Sequence, residues 1–127
     1  MEIILDTNAV SDFAEGNESL RRVLERYQNW CLPVIVLGEY RFGLQASRLR
    51  KEREKWLTKL EEEHFVLDID AATARHYATI RSALKSAGTP IPENDVWIGA
   101  LAHQYRLPIA TRDRHFHSID QVKIISW

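Results

Sequence analysis

The chain opens with Met1-Glu2-Ile3-Ile4-Leu5 and runs straight into Asp6-Thr7-Asn8. The apolar run does not alternate, which is the pattern of a strand buried on both faces of a parallel sheet. A strand of that kind needs helices on either side of it. This stretch therefore restricts the chain to layered α/β architectures, with the opening strand near the centre. It also delivers a carboxylate, Asp6, at the strand's C-terminal tip.

The remaining segments fit the same plan. Further strands are predicted over Leu32–Val36, with Pro33 near the start, and over Phe65–Leu67, Leu107–Ala110 and Val122–Ile125. A short turn through Val10 and Phe13 is broken at Gly16-Asn17. A helix over Glu18–Gln28 would then bury Leu20, Val23, Leu24 and Tyr27. Glu39 would fall in the first turn of a helix opening at Leu37-Gly38. Ser47–His64 would pack through Leu49, Trp56 and Leu60. Ala71–Ser86 would pack through Thr73, Tyr77, Ile80 and Leu84, capped by Asp70 and stopped by Gly88. The Pro-containing loop Thr89–Asn94 leads into Asp95–Ala102, apolar on most sides and so central. One domain spanning residues 1–127 is expected: a three-layer α/β sandwich with a parallel sheet of about five strands.

Composition excludes some roles. A net charge of −1 gives no global field toward nucleic acid, so a polyanion would need a local basic face. Arg48 to Lys59 is basic and is followed by Glu61-Glu62-Glu63, a mixture typical of a solvated helix face. The single Cys31 excludes an internal disulfide and fits a reducing compartment. No leader pattern precedes the first strand, and no apolar run approaches the roughly 20 residues a membrane span needs. These features predict a cytosolic protein.

Topology brings the acids together. Right-handed crossovers in a parallel sheet put ligand sites outside the carboxyl ends of the strands. Asp6, Glu39 and Asp113 follow strands. Asp95 begins a helix that returns antiparallel to them, so its start lies at the same rim. Four carboxylates in one place repel each other unless protons or a cation compensate. Oxygen donors without Cys or clustered His favour Mg²⁺ or Mn²⁺ over zinc. Such ions support phosphodiester hydrolysis. Thr7, Asn8 and Thr111 stand beside the acids and are expected to orient them. Taken singly, each Asp fits a helix cap or a turn; the joint pattern points to a site. His64 and His76 are expected at the surface, and His103 in the buried helix. His115 and His117 lie near enough to Asp113 to touch a substrate. Glu93 is an extra acid beside Asp95.

The set Leu5-Asp6-Thr7-Asn8, Val36-Leu37-Gly38-Glu39, Asn94-Asp95-Val96-Trp97-Ile98-Gly99-Ala100 and Ala110-Thr111-Arg112-Asp113 resembles the PIN-domain nucleases, above all the VapC-type toxins. His115-Phe116 and Ile124-Ile125-Ser126-Trp127 fit the same group. The resemblance implies a PIN-like sandwich and a Mg²⁺- or Mn²⁺-dependent endoribonuclease, inhibited by a cognate antitoxin and assembled as a homodimer. By motif position Asp6, Glu39, Asp95 and Asp113 match that family's acidic quartet. Thr111 matches its neighbouring hydroxyl residue, and Gly99 stands where relatives often carry Ala. In that reading Arg41, Arg112 or Arg114 would contact phosphates, and Tyr40 or Phe116 would support a base.

Two other classes share this outline. A phospho-acceptor signalling domain would use Asp68 after the third strand, but it needs a lysine after the fifth, and none follows Val122–Ile125 here. A non-catalytic interaction module would use the acids only as caps and would gain no stability from divalent metal.

Overall fold

The computed structural model describes residues 1–127. Five strands form one sheet: β1 (Glu2–Leu5), β2 (Asn29–Pro33), β3 (Phe65–Leu67), β4 (Ile109–Ala110) and β5 (Ile124–Ile125). Their order is β3-β2-β1-β4-β5, and every pairing is parallel. The opening strand is the middle one, and Ile3, Ile4 and Leu5 are fully buried. The helices are α1 (Thr7–Ala14), α2 (Glu18–Leu24), α3 (Val34–Leu44), α4 (Arg50–Glu63), α5 (Ala71–Ala87) and α6 (Glu93–Tyr105), with a 3-10 turn over Arg114–Ser118. No helix is long and apolar enough to cross a membrane.

The sheet reverses direction of growth at β1. The chain adds β2 and then β3 on one side, then returns to place β4 and β5 on the other. The carboxyl end of β1 and β4 is therefore the topological switch point, where α/β sheets bind ligands. Register makes this specific. Ile4 pairs with Ile109 and Leu5 with Ala110, so the next residues, Asp6 and Thr111, emerge side by side.

The second strand lies three residues earlier than expected. Its register runs from Glu2↔Asn29 to Ile4↔Cys31, and Pro33 ends it rather than starting it. Val34, Ile35 and Val36 then open α3 despite their strand-like branching. Burial explains the override: Val36, Leu37, Tyr40 and Leu44 form a helical stripe against the core, and packing outweighs a propensity difference of a few tenths of a kcal/mol per residue. As a result Glu39 sits in the second turn of its helix, not the first. Helix α2 ends at Leu24, so Tyr27 lies beyond it. In α4 the buried residues are Leu57 and Leu60, and Leu49 is exposed just ahead of the helix. His103 is half-buried in α6, its ring touching His76 and Gln121. Helix α6 packs on α5 and α3, and it carries seven buried residues including Asp95. At Gly99 a Cβ would stand 2.5 Å from the Ile119 Cδ1, so glycine permits the close approach of the segment after the 3-10 turn.

Candidate metal centre

Asp6 leaves β1 in extended backbone conformation and caps α1. One oxygen accepts the Thr7 N–H at 2.8 Å. The other accepts the Thr111 hydroxyl at 2.7 Å and the Asn8 amide at 3.3 Å. The Thr7 hydroxyl donates to Glu39 at 2.8 Å. Thr111 Oγ1 in turn accepts the Asp113 N–H at 2.9 Å. Asp113 caps the 3-10 turn by accepting the His115 N–H at 2.9 Å. His115 Nδ1 lies 2.9 Å from Asp113 Oδ1 and 3.0 Å from Asp95 Oδ2. One hydrogen-bonded chain thus runs Glu39–Thr7–Asp6–Thr111–Asp113–His115–Asp95. Asn8 braces it by accepting the Arg112 N–H at 3.2 Å.

Asp95, Asp113 and His115 are the tightest group, each offering a donor atom within 4.8 Å of the others. Asp6 and Glu39 adjoin that group without belonging to it. Burial is uneven: Asp6 and Asp95 are only 4% and 8% exposed. Removal from water pushes the Asp6 carboxyl up, against the pull of its Thr111 and Thr7 hydrogen bonds, and Glu39 and Asp113 add repulsion. Burial likewise pushes Asp95 up to about 6, with His115 opposing and Asp6 and Asp113 reinforcing. The hydrogen bond to Asp95 raises the His115 imidazole. Oxygen donors that burial and mutual repulsion resist ionising, with one imidazole and no thiolate, fit a divalent cation.

Several expected neighbours stand elsewhere. Glu93 bonds Tyr77 and pairs with Arg81 at 3.1 Å, so it faces α5 instead of the acids. Arg41 is held by Glu54 at 3.0 Å and Glu61 at 2.6 Å. Arg112 pairs with Asp12 at 3.4 Å, and its guanidinium lies over Trp127. Of the three arginines only Arg114 has no ion pair. Tyr40 and Phe116 are core residues, 7% and 0% exposed, and offer no face to a base. The exposed aromatic beside the acids is Phe42, 80% exposed, lining a shallow depression with Thr7, Ile35, Gly38, Glu39 and Asn94. Gly38 and Phe42 share one face of α3 at four-residue spacing, and that face also carries Val34. Asp68 is exposed after the edge strand β3, two strands away from Asp6, and contributes nothing to the acid group. His117 is exposed beyond the 3-10 turn's contacts with the acids.

Residues 3–122 match the PIN domain family. The ribonuclease VapC4 of Mycobacterium tuberculosis is 33% identical over 115 residues, covering 87% of this chain and 88% of the relative. Toxin FitB of Neisseria gonorrhoeae is 31% identical over 121 residues, covering 87% of each. A solved structure of VapBC-5, a member of the VapBC family of toxin–antitoxin systems from M. tuberculosis, superposes with a TM-score of 0.75 at 30% identity. That superposition covers 99% of this chain and 98% of the other. The family match takes in Asp6, Glu39, Asp95, Asp113 and His115 and stops short of β5, and the chain belongs to the PIN domain family.

Proposed function

We propose that the protein is an endoribonuclease dependent on Mg²⁺ or Mn²⁺, acting as the toxin of a toxin–antitoxin pair. A cognate antitoxin holds it inactive, and it works as a cytoplasmic homodimer of a single-domain chain. The observation that carries this reading is the continuous hydrogen-bonded chain joining four acids at the β1/β4 switch point. Its relatives support the substrate and the partner, since they include a named ribonuclease and a named toxin.

Asp6, Glu39, Asp95 and Asp113 hold the cation, and their charge is what selects it. A cation held there would supply an activated water and charge compensation at the leaving oxygen of a phosphodiester. The protein's own part is positional. Thr7 fixes the Glu39 carboxylate, and Thr111 fixes Asp6 while fastening the Asp113 backbone. Both threonines come from segments anchored in the sheet, so the acids keep their spacing. Arg114 contacts the phosphate backbone next to the cleaved bond, and Phe42 supports an unstacked base.

The test is cleavage of a mixed cellular RNA pool by purified, antitoxin-free protein, with Mg²⁺, with Mn²⁺ and with chelator. Discrete fragments that require the cation and are absent with Asp6→Asn are expected. Full cleavage by Asp6→Asn, or cleavage unaffected by chelator, would overturn the reading.

A further inference from the structure

His115 is the one residue in the acid chain that is not a carboxylate or a hydroxyl, and nothing so far explains why an imidazole stands there. Its Nδ1 lies 2.9 Å from Asp113 Oδ1 and 3.0 Å from Asp95 Oδ2. Donor atoms at neighbouring corners of a six-coordinate shell, each about 2.1 Å from the ion, are about 3 Å apart. His115 Nδ1 therefore sits at that spacing from both carboxylate oxygens, and all three donor atoms lie within 4.8 Å of one another. The position is also fixed by the fold. His115 donates its backbone N–H to Asp113, and the next residue, Phe116, is fully buried. His115 and His117 are both exposed, but only His115 touches the acids. A side chain only neutralising Asp95 from the surface would not need this anchorage.

We propose that His115 binds the cation directly through Nδ1, beside Asp95 and Asp113, releasing to solvent the Nδ1 proton it otherwise shares with those carboxylates, and that this nitrogen donor makes the site favour Mn²⁺ over Mg²⁺. Mg²⁺ holds to oxygen donors and sheds water reluctantly, whereas first-row transition ions accept imidazole readily. The inference rests on the reading of the acids as a cation site and adds to it a ligand and a preference.

The experiment is Mn²⁺ and Mg²⁺ titration of the full-length protein, with the bound Mn²⁺ examined by pulsed EPR for coupling to a coordinated nitrogen. Wild type is expected to bind Mn²⁺ with clear ¹⁴N modulation. His115→Gln should lose that modulation and weaken Mn²⁺ binding about ten-fold or more, while Mg²⁺ binding changes much less. His117→Gln should keep the modulation. The wild-type spectrum decides the ligation without any variant, so a folding defect cannot obscure the result. Tight Mn²⁺ binding without ¹⁴N coupling would overturn the inference and leave the acid site standing. So would a His115→Gln protein with an unchanged Mn²⁺/Mg²⁺ ratio. Absence of saturable Mn²⁺ binding in folded wild type would overturn the acid site itself, and this inference with it.

Discussion

Asp6 and Asp70 each follow an extended segment and each accept an N–H at the first turn of a helix, α1 in one case and α5 in the other. Asp70 does the ordinary work of a cap. It accepts the Thr73 N–H at 3.0 Å, and Thr73 Oγ1 accepts the Asp70 N–H at 3.1 Å, forming a capping box. It is exposed, and those hydrogen bonds hold its carboxyl below the usual range. Asp6 bonds only the adjacent N–H, turns its second oxygen to Thr111, and is buried among acids that push it up. Capping and ligation are therefore not alternatives. A carboxylate at a helix start is a cap wherever it lies, and burial beside other carboxylates is what fits Asp6, and not Asp70, to hold a cation.

The largest difference should appear on neutralising each in turn. Asp6→Asn keeps an N-cap residue but removes a charge from the cation shell. Losing an outer-shell partner of a metal typically costs 10–100-fold, so losing a ligand should cost at least about 100-fold in RNA cleavage. In metal-free buffer its melting temperature should hold or rise, because one repelling charge has gone. Asp70→Asn should cleave RNA at the wild-type rate. Equal effects of the two changes on cleavage would break the comparison.

Thr111→Val comes next. It removes the buried hydroxyl that donates to Asp6 and accepts from Asp113, and both carboxylates lose their fixed orientation. Cleavage should fall roughly 10–100-fold, with weaker cation affinity. A titration showing unchanged affinity and rate would remove Thr111 from the site.

Why Asp6 and not Asp70 joins the cluster was legible in the sequence only in part. The unbroken apolar run before Asp6 announced a central strand, and alternation of strands with helices placed all four acids at one rim. The register that sets Thr111 beside Asp6 is a property of strand pairing, which the sequence states only as segment order. The start of α3 was hidden because Val34-Ile35-Val36 has strand propensity, and only the burial of Val36, Leu37, Tyr40 and Leu44 overrides it. Phe42 was hidden for another reason: spacing sets Gly38 and Phe42 on one face, but only the packing shows that this face is exposed beside Glu39. Glu93 misled because adjacency to Asp95 in sequence says nothing about side-chain direction. His115 carried a faint signal, two residues after Asp113, but its reach back to Asp95 depends on the 3-10 turn.

The two regions should also respond oppositely to pH when no cation is present. Unfolded carboxyls ionise near 4. Folded Asp95 ionises at about 6, so the native state binds a proton that the unfolded chain has released. Its stabilising contribution is complete below about 4 and is lost as pH rises through 6, on the order of 2–3 kcal/mol. Asp6 acts in the same direction. His115 does so as well at higher pH: its contribution is complete below about 6.5 and is lost as pH rises through its raised folded value. Asp70, with a lowered carboxyl, contributes above about 4 and loses that contribution as pH falls through its folded value. Thermal melts in chelator should therefore show stability falling between pH 4 and 7. Added Mn²⁺ should flatten the fall, because it binds the ionised acids. A metal-free profile rising across that window would contradict the assigned burial of Asp95.

The smallest effect isolates capping from ligation altogether. Asp70→Ala removes the carboxylate half of the capping box at the start of α5, where Thr73 is fully buried, and keeps the residue 70 N–H that Thr73 Oγ1 accepts. The Thr73 hydroxyl keeps two partners, accepting the residue 70 N–H and donating to Gln104 at 2.6 Å, so the loss is confined to the helix terminus. Cap deletions are modest as a class, and the melting temperature should drop by a few degrees. Asp70→Asn should restore most of it, since an amide oxygen still accepts the Thr73 N–H. Neither change should alter cation affinity, because the start of α5 meets α6 at Gln104, at the opposite end of that helix from Asp95. A shift in Mn²⁺ affinity with Asp70→Ala would mean that the α5–α6 packing sets the position of Asp95. Asp70 would then be part of the site's support, and the division between the two helix starts would fail.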